Sequence, residues 1–121
     1  MRISPRTLGI LAAAALLGGA GPPAEALAPL QLDGSLPHGR FRTHAVTLRG
    51  GVEYTFVGAC DRDCSDLDLQ LYDQNGVLVD QDLLEDDVPV VSVTPEWTGP
   101  FTVKVIMASC SVSPCVYRIV A

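Results

Sequence analysis

Apolar and polar residues alternate with a period of two along most of the chain after residue 40. That is the pattern of strands with one face in a core and the other in solvent. The clearest run is Asp66 to Asp73, where Leu67, Leu69 and Leu71 alternate with Asp66, Asp68, Gln70 and Tyr72. Upstream, His44 to Leu48 places Val46 and Leu48 on one face, and Arg49-Gly50-Gly51 reads as a turn. Val52, Tyr54 and Phe56 then alternate with Glu53, Thr55 and Val57, so the two runs are expected to pair antiparallel. Downstream of the Leu67 run, Asn75-Gly76 predicts a type I′ hairpin with Val77 to Val79 returning, because both central residues of that turn need φ > 0. Val88 to Val93 is strongly β-forming, and Pro89 near its start suggests an edge strand or a strand entrance. After the loop Thr94-Pro95-Glu96-Trp97-Thr98-Gly99-Pro100, the residues Phe101, Val103, Val105 and Met107 face one way. Thr102 and Lys104 face the other, and Ile106 breaks the alternation. Cys110 to Cys115, with Pro114, is expected to close a hairpin onto Val116 to Val120, with Tyr117 and Ile119 inward and Arg118 outward.

About seven short strands, Gly/Pro/Asp turns between them and no sustained helical period predict an all-β fold, an antiparallel β-sandwich. Residues 27–40 hold Pro29, Gly34 and Pro37 among few periodic apolars and read as a lead-in segment, ordered only if it docks on the domain. The domain itself is assigned to residues 41–121.

The first 26 residues change the picture of where the protein works. Arg2 and Arg6 precede an uncharged Leu/Ala/Gly run from Leu8 to Ala20, too short to span a membrane. Pro22 and Pro23 break that run, and Ala24-Glu25-Ala26 gives a small-x-small cleavage signature. These are the parts of a secretory signal peptide, residues 1–26; the competing reading is an uncleaved N-terminal anchor. Ala26-Leu27-Ala28 is a poorer site because Pro29 would follow the scissile bond. Cleavage after Ala26 leaves 95 residues, one small domain with a thin core and no membrane insertion. The expected location is secreted or periplasmic.

In that compartment the four cysteines read as a disulfide framework, and three connectivities are open. Proximity favours Cys60–Cys64 and Cys110–Cys115, each about 2 kcal/mol by loop entropy. A structural zinc site is the rival reading of the same spacings, disfavoured by an oxidising compartment.

The full chain carries a formal charge of −6, and loss of Arg2, Arg6 and Glu25 takes it to −7. This argues against nucleic acid and anionic membranes as partners and leaves cations, basic surfaces or neutral partners open. Asp61, Asp63, Asp66 and Asp68 cluster around one loop and make a candidate calcium site, without EF-hand spacing. Glu85, Asp86 and Asp87, with Asp80 and Asp82, make a second acidic stretch. Alternatively, these acids cap turns and block edge pairing. Trp97, the only tryptophan, stands in a Pro/Gly-bounded loop where it would stack on a sugar ring, anchor a peptide, or pack over the end of the sandwich. Neither His38 nor His44 belongs to a zinc or nucleophile motif, and paired cysteines leave no thiol nucleophile. His44 reads as a cross-strand partner and His38 as a solvated loop residue. No catalytic residues are expected.

The order of these motifs is similar to that of a known family. Gly51-Val52-Glu53-Tyr54-Thr55-Phe56 leads to Asp66-Leu67-Asp68-Leu69-Gln70-Leu71-Tyr72-Asp73 and Asn75-Gly76. A valine-rich strand, Thr98-Gly99-Pro100-Phe101-Thr102-Val103-Lys104-Val105 and Tyr117-Arg118-Ile119 follow. This resembles the bacterial pre-peptidase C-terminal (PPC) domain over roughly residues 41 to 121. The resemblance implies a jelly-roll-like sandwich and a non-catalytic role beside secreted hydrolases, in secretion, stability or substrate binding. The implied partner is an extracellular protein or polysaccharide, and some related domains bind calcium. The chain departs from the family in carrying two cysteine pairs and no attached enzyme, which leaves as alternatives a structural envelope or extracellular protein without a specific ligand and, behind it, a small secreted enzyme or inhibitor.

Overall fold

Eight strands arranged in two antiparallel sheets make up the computed structural model, which describes residues 29–121. Residues 1–26, read from the sequence as a signal peptide, lie with Leu27 and Ala28 outside the described residues. In chain order the strands are β1 (Gln31–Leu36), β2 (Phe41–Leu48), β3 (Tyr54–Cys60), β4 (Cys64–Tyr72), β5 (Leu78–Asp82), β6 (Val90–Val93), β7 (Gly99–Cys110) and β8 (Cys115–Val120). One sheet runs β1-β8-β3-β6 and the other β2-β7-β4-β5. An eight-stranded, two-sheet arrangement of this order is a jelly roll.

The core forms where the apolar halves of the alternating runs meet. Leu67, Leu69 and Leu71 of β4, Val103, Val105 and Met107 of β7, Phe56 of β3 and Tyr117 and Ile119 of β8 are all buried in one cluster. Each such aliphatic or aromatic side chain contributes roughly 1.5–3 kcal/mol by leaving water. Ile106 keeps the alternation after all: it lies between buried Val105 and Met107 and is only partly covered, as Lys104 is.

Two pairings differ from the sequence expectation, for one reason. In a jelly roll nearly every connection passes between sheets, and β4–β5 is the only sequential pair sharing one. Hence β2 pairs with β7, and β3 with β6 and β8, in place of a β2–β3 hairpin. Likewise Cys110 to Cys115 is a crossover from β7 to β8. Period-two patterning assigns faces, and it is silent about partners. The β4–β5 turn is also not type I′. The Gly76 amide donates to the Asp73 carbonyl (3.0 Å), and Gly76 takes φ 76°. Asp73 and Val77 close a three-residue loop, a type I turn followed by a left-handed glycine.

The eighth strand is the lead-in segment. β1 pairs with β8 from Gln31↔Val120 to Leu36↔Cys115, and Leu30 and Ala121 exchange backbone bonds of 3.0 Å. Both disulfides form as proximity favoured, each with a Cα–Cα distance of 6.0 Å. Each spans a crossover between sheets at the same end of the sandwich, and the pair is compatible with an oxidising environment.

Candidate binding site

The two ends of the sandwich differ in character. At one end lie the disulfides and the loops they close. At the other lie the β2–β3, β4–β5 and β6–β7 connections, and among them is Trp97, 64% exposed.

The Trp97 loop is held by backbone contacts made possible by glycine. Gly50 donates its amide to Thr98 Oγ1 (3.0 Å), and Gly51, at φ 81°, donates to the Pro95 carbonyl (2.7 Å). A Cβ on Gly50 would stand 2.6 Å from Trp97 Cα and 2.9 Å from its carbonyl carbon. The loop backbone is thus seated directly on the β2–β3 turn, and the indole is presented to solvent from a fixed base. Gly50→Ala is expected to displace the loop at a cost of about 1–2 kcal/mol, with a shift in tryptophan emission. Chemical denaturation followed by fluorescence checks both, since Trp97 is the single tryptophan.

Beside Trp97 is a cleft of about 240 Å³ lined by Gln74, Asn75, Val79, Val93, Pro95 and Glu96, with Phe101 at its floor. Asp73 also lines it, but its Oδ1 accepts from the amides of Asn75 (2.8 Å) and Val77 (3.0 Å) and so builds the turn. The polar groups offered to a ligand are therefore two carboxamides, the Thr94 hydroxyl and the Glu96 carboxylate, next to the Trp97 indole. Sequence alone marks Trp97 only. Gln74, Asn75 and Glu96 join it because the jelly roll brings the β4–β5 tip and the β6–β7 loop to one end.

The four candidate calcium ligands do not converge into one donor set. Asp61 is spent on the fold: its Oδ1 accepts from the Asp63 amide (3.1 Å) and its Oδ2 from the Val116 amide (2.9 Å). The Asp63 carbonyl accepts from the Ser111 amide (2.8 Å) and hydroxyl (3.1 Å), tying the β3–β4 loop to the β7–β8 crossover. Asp66 and Asp68 lie along β4, and each leaves one buried Oδ1 without a hydrogen-bond partner. Among the described residues no three His, Cys, Asp or Glu side chains gather at metal-binding geometry.

Both histidines have structural partners. His44 Nε2 and the Tyr117 hydroxyl are hydrogen-bonded at 2.7 Å, across the sandwich from β2 to β8. Burial, and then the nearby Arg42 guanidinium, hold the His44 imidazole below its ordinary 6.5. His38 is not merely solvated: its Nδ1 accepts the Cys110 amide (3.0 Å) and its amide donates to Ser113 Oγ (3.0 Å). A second, shallower groove on the outer face of the β1-β8-β3 strands is lined by Asp33, Ala59, Asp61, Val116 and Arg118 and carries the exposed Asp33–Arg118 ion pair at 2.7 Å.

Comparison with known proteins finds no family model and no curated protein that matches the chain.

Proposed function

We propose that the mature chain is a secreted or periplasmic, non-catalytic binding module that holds an extracellular polysaccharide or protein in the Trp97 cleft, as an accessory domain of the PPC kind would. The observation that carries this reading is the combination of an exposed indole with a loop backbone seated on Gly50. A tryptophan exposed only because its loop is slack would have no such support. An aromatic face flanked by carboxamides suits a neutral, hydroxyl-rich ligand: the ring covers the apolar face of a sugar and the amides meet its hydroxyls. The disulfides support an oxidising compartment. The structural bonds of His38 and His44 support a role without catalysis.

Affinity electrophoresis in gels containing neutral soluble polysaccharides, and pull-down from culture supernatant, test the proposal. The wild-type domain is expected to be retained. Trp97→Ala is expected to lose at least about tenfold in affinity with a melting temperature within about 2 °C of wild type. Equal retention of the variant would overturn the cleft as the site. A large stability loss would show that the indole serves packing instead.

A further inference from the structure

Two open sheets leave four edge strands, and three of them carry a device against pairing with another chain. β6 is met by side chains: Asp82 Oδ2 accepts from the Val90 amide (2.9 Å) and Asp80 Oδ2 from the Ser92 amide (2.8 Å). β5 is five residues long, holds both of those acids and pairs with β4 through a register shift. β1 is six residues long, carries Asp33 and is interrupted by Gly34. β2 has none of these. Its eight residues, Phe41–Leu48, hold no proline, glycine or acid and pair with β7 without a register shift.

The ladder between β2 and β7 shows which backbone groups β2 leaves over. Met107 donates its amide to the Arg40 carbonyl (2.9 Å), and Pro100, which has no amide, stands opposite Thr47. Bonded and non-bonded positions alternate in an antiparallel pair, so Arg42, His44, Val46 and Leu48 exchange bonds with β7. Phe41, Thr43, Ala45 and Thr47 turn their amides and carbonyls away from it. All four residues are exposed. No side chain among the described residues caps them as Asp80 and Asp82 cap β6. Free groups at alternate residues are what an added strand bonds to.

The charges along this edge specify the partner. The whole chain carries −6, yet residues 34–52 contain no Asp or Glu, and neither does β7. They contribute Arg40, Arg42 and Arg49 along β2 and its flanking turns, and Lys104 opposite Thr43. Lys104 Nζ lies 4.2 Å from the centre of the Phe41 ring, a side chain 58% exposed. On β1, the edge strand on the same side of the sandwich, the single acid Asp33 is already paired with Arg118 (2.7 Å). A cationic edge on an acidic protein selects a strand of opposite charge. We propose that β2 is a strand-addition site for an extended acidic peptide segment. Its backbone bonds to Phe41, Thr43, Ala45 and Thr47, and its carboxylates face Arg40 and Arg42.

The probe is a blocked octapeptide of alternating Thr and Glu, titrated calorimetrically into the mature, disulfide-intact chain, with alternating Thr and Lys as the basic counterpart. The acidic peptide is expected to bind at about 10–500 μM in low salt, at least about tenfold tighter than the basic one, and to weaken several-fold at about 0.3 M salt. Residues opposite Arg40 and Arg42 occupy non-bonded positions, so the bonded positions fall to Thr. N-methylation of the Thr amides is therefore expected to cost at least about tenfold, and N-methylation of the Glu amides less than about threefold. Thr43→Pro removes an amide that β7 does not use, and is expected to lose at least about tenfold. Should that variant fold poorly, the methylated peptides on the wild-type chain decide. No binding at about 2 mM, equal binding of the two peptides, or equal effects of the two methylation patterns overturns the proposal. Dimerisation of the peptide-free chain that Thr43→Pro abolishes, followed by sedimentation velocity, would show that a second copy takes the edge and overturns it as well.

Discussion

Gly34→Ala is expected to destabilise the domain by about 2–4 kcal/mol, far above the value for an exposed strand position. A Cβ there would lie 2.4 Å from the Tyr117 hydroxyl oxygen, 2.6 Å from Cζ and 2.9 Å from Cε2. Neither side has room to give. Gly34 is in register opposite Tyr117 in the β1–β8 ladder, and the Tyr117 ring is fully buried. The ring's hydroxyl is also bonded to His44 Nε2. Overpacking of this kind costs roughly 1–3 kcal/mol, and loss of the His44–Tyr117 bond adds about 0.5–1.5. Urea denaturation of Gly34→Ala beside Ser35→Ala measures the difference. The exposed Ser35 site should change by less than about 0.5 kcal/mol. A similarly small change at Gly34 would mean that Tyr117 is free to move and that β1 is only loosely attached.

The same contact explains why β1 was hard to see in the sequence. Leu30, Leu32 and Leu36 keep period two, and the member missing from the series is Gly34. A leucine would complete the pattern, but the Tyr117 ring already occupies that place. Glycine and two flanking prolines then make the stretch look like a linker. The inward faces of β4, β7 and β8 were legible because each run supplies its own contrast of leucine or valine against acid, amide or base. Pairing was not legible, since Val52, Tyr54 and Phe56 carry no mark that distinguishes a neighbour in the same sheet from one across the core. The candidate site was half legible for the same reason: Trp97 is conspicuous by type, whereas Gln74, Asn75 and Gly50 acquire their roles only from the order of the strands. The acids read as one loop cluster separate into distinct roles: Asp61 builds a turn, Asp63 ties its loop to Ser111 through its carbonyl, and Asp66 adds its charge at Asp68.

Asp80 and Asp82 make the remaining case, and removing both is expected to cost about 3 kcal/mol and to promote self-association. β6 is the edge of its sheet, and its Val90 and Ser92 amides find no strand on the side away from β3. The edge strand of the other sheet meets them with side chains: Asp82 Oδ2 accepts from Val90 (2.9 Å) and Asp80 Oδ2 from Ser92 (2.8 Å). The second oxygen of each carboxylate binds a neighbouring amide, Leu84 for Asp82 and Gln81 for Asp80. The two acids thus close one side of the sandwich and cover an edge that would otherwise template pairing with another chain. A hydrogen bond to a charged group contributes roughly 1.5–3 kcal/mol when shielded, and partial exposure here brings each aspartate to about 1–2. Urea denaturation should therefore rank wild type above either single alanine variant and both above the double. Light scattering should grow in the double variant, with Asp87→Ala as an acidic control that leaves both unchanged. Single costs below about 0.5 kcal/mol with no association would rule out the clasp. Burial and the neighbouring Asp66 push Asp68 up to about 6, and Asp82 adds to that raise. Its removal relieves repulsion only where Asp68 is charged, so Asp82→Ala should cost more at about pH 5 than at about pH 7.5.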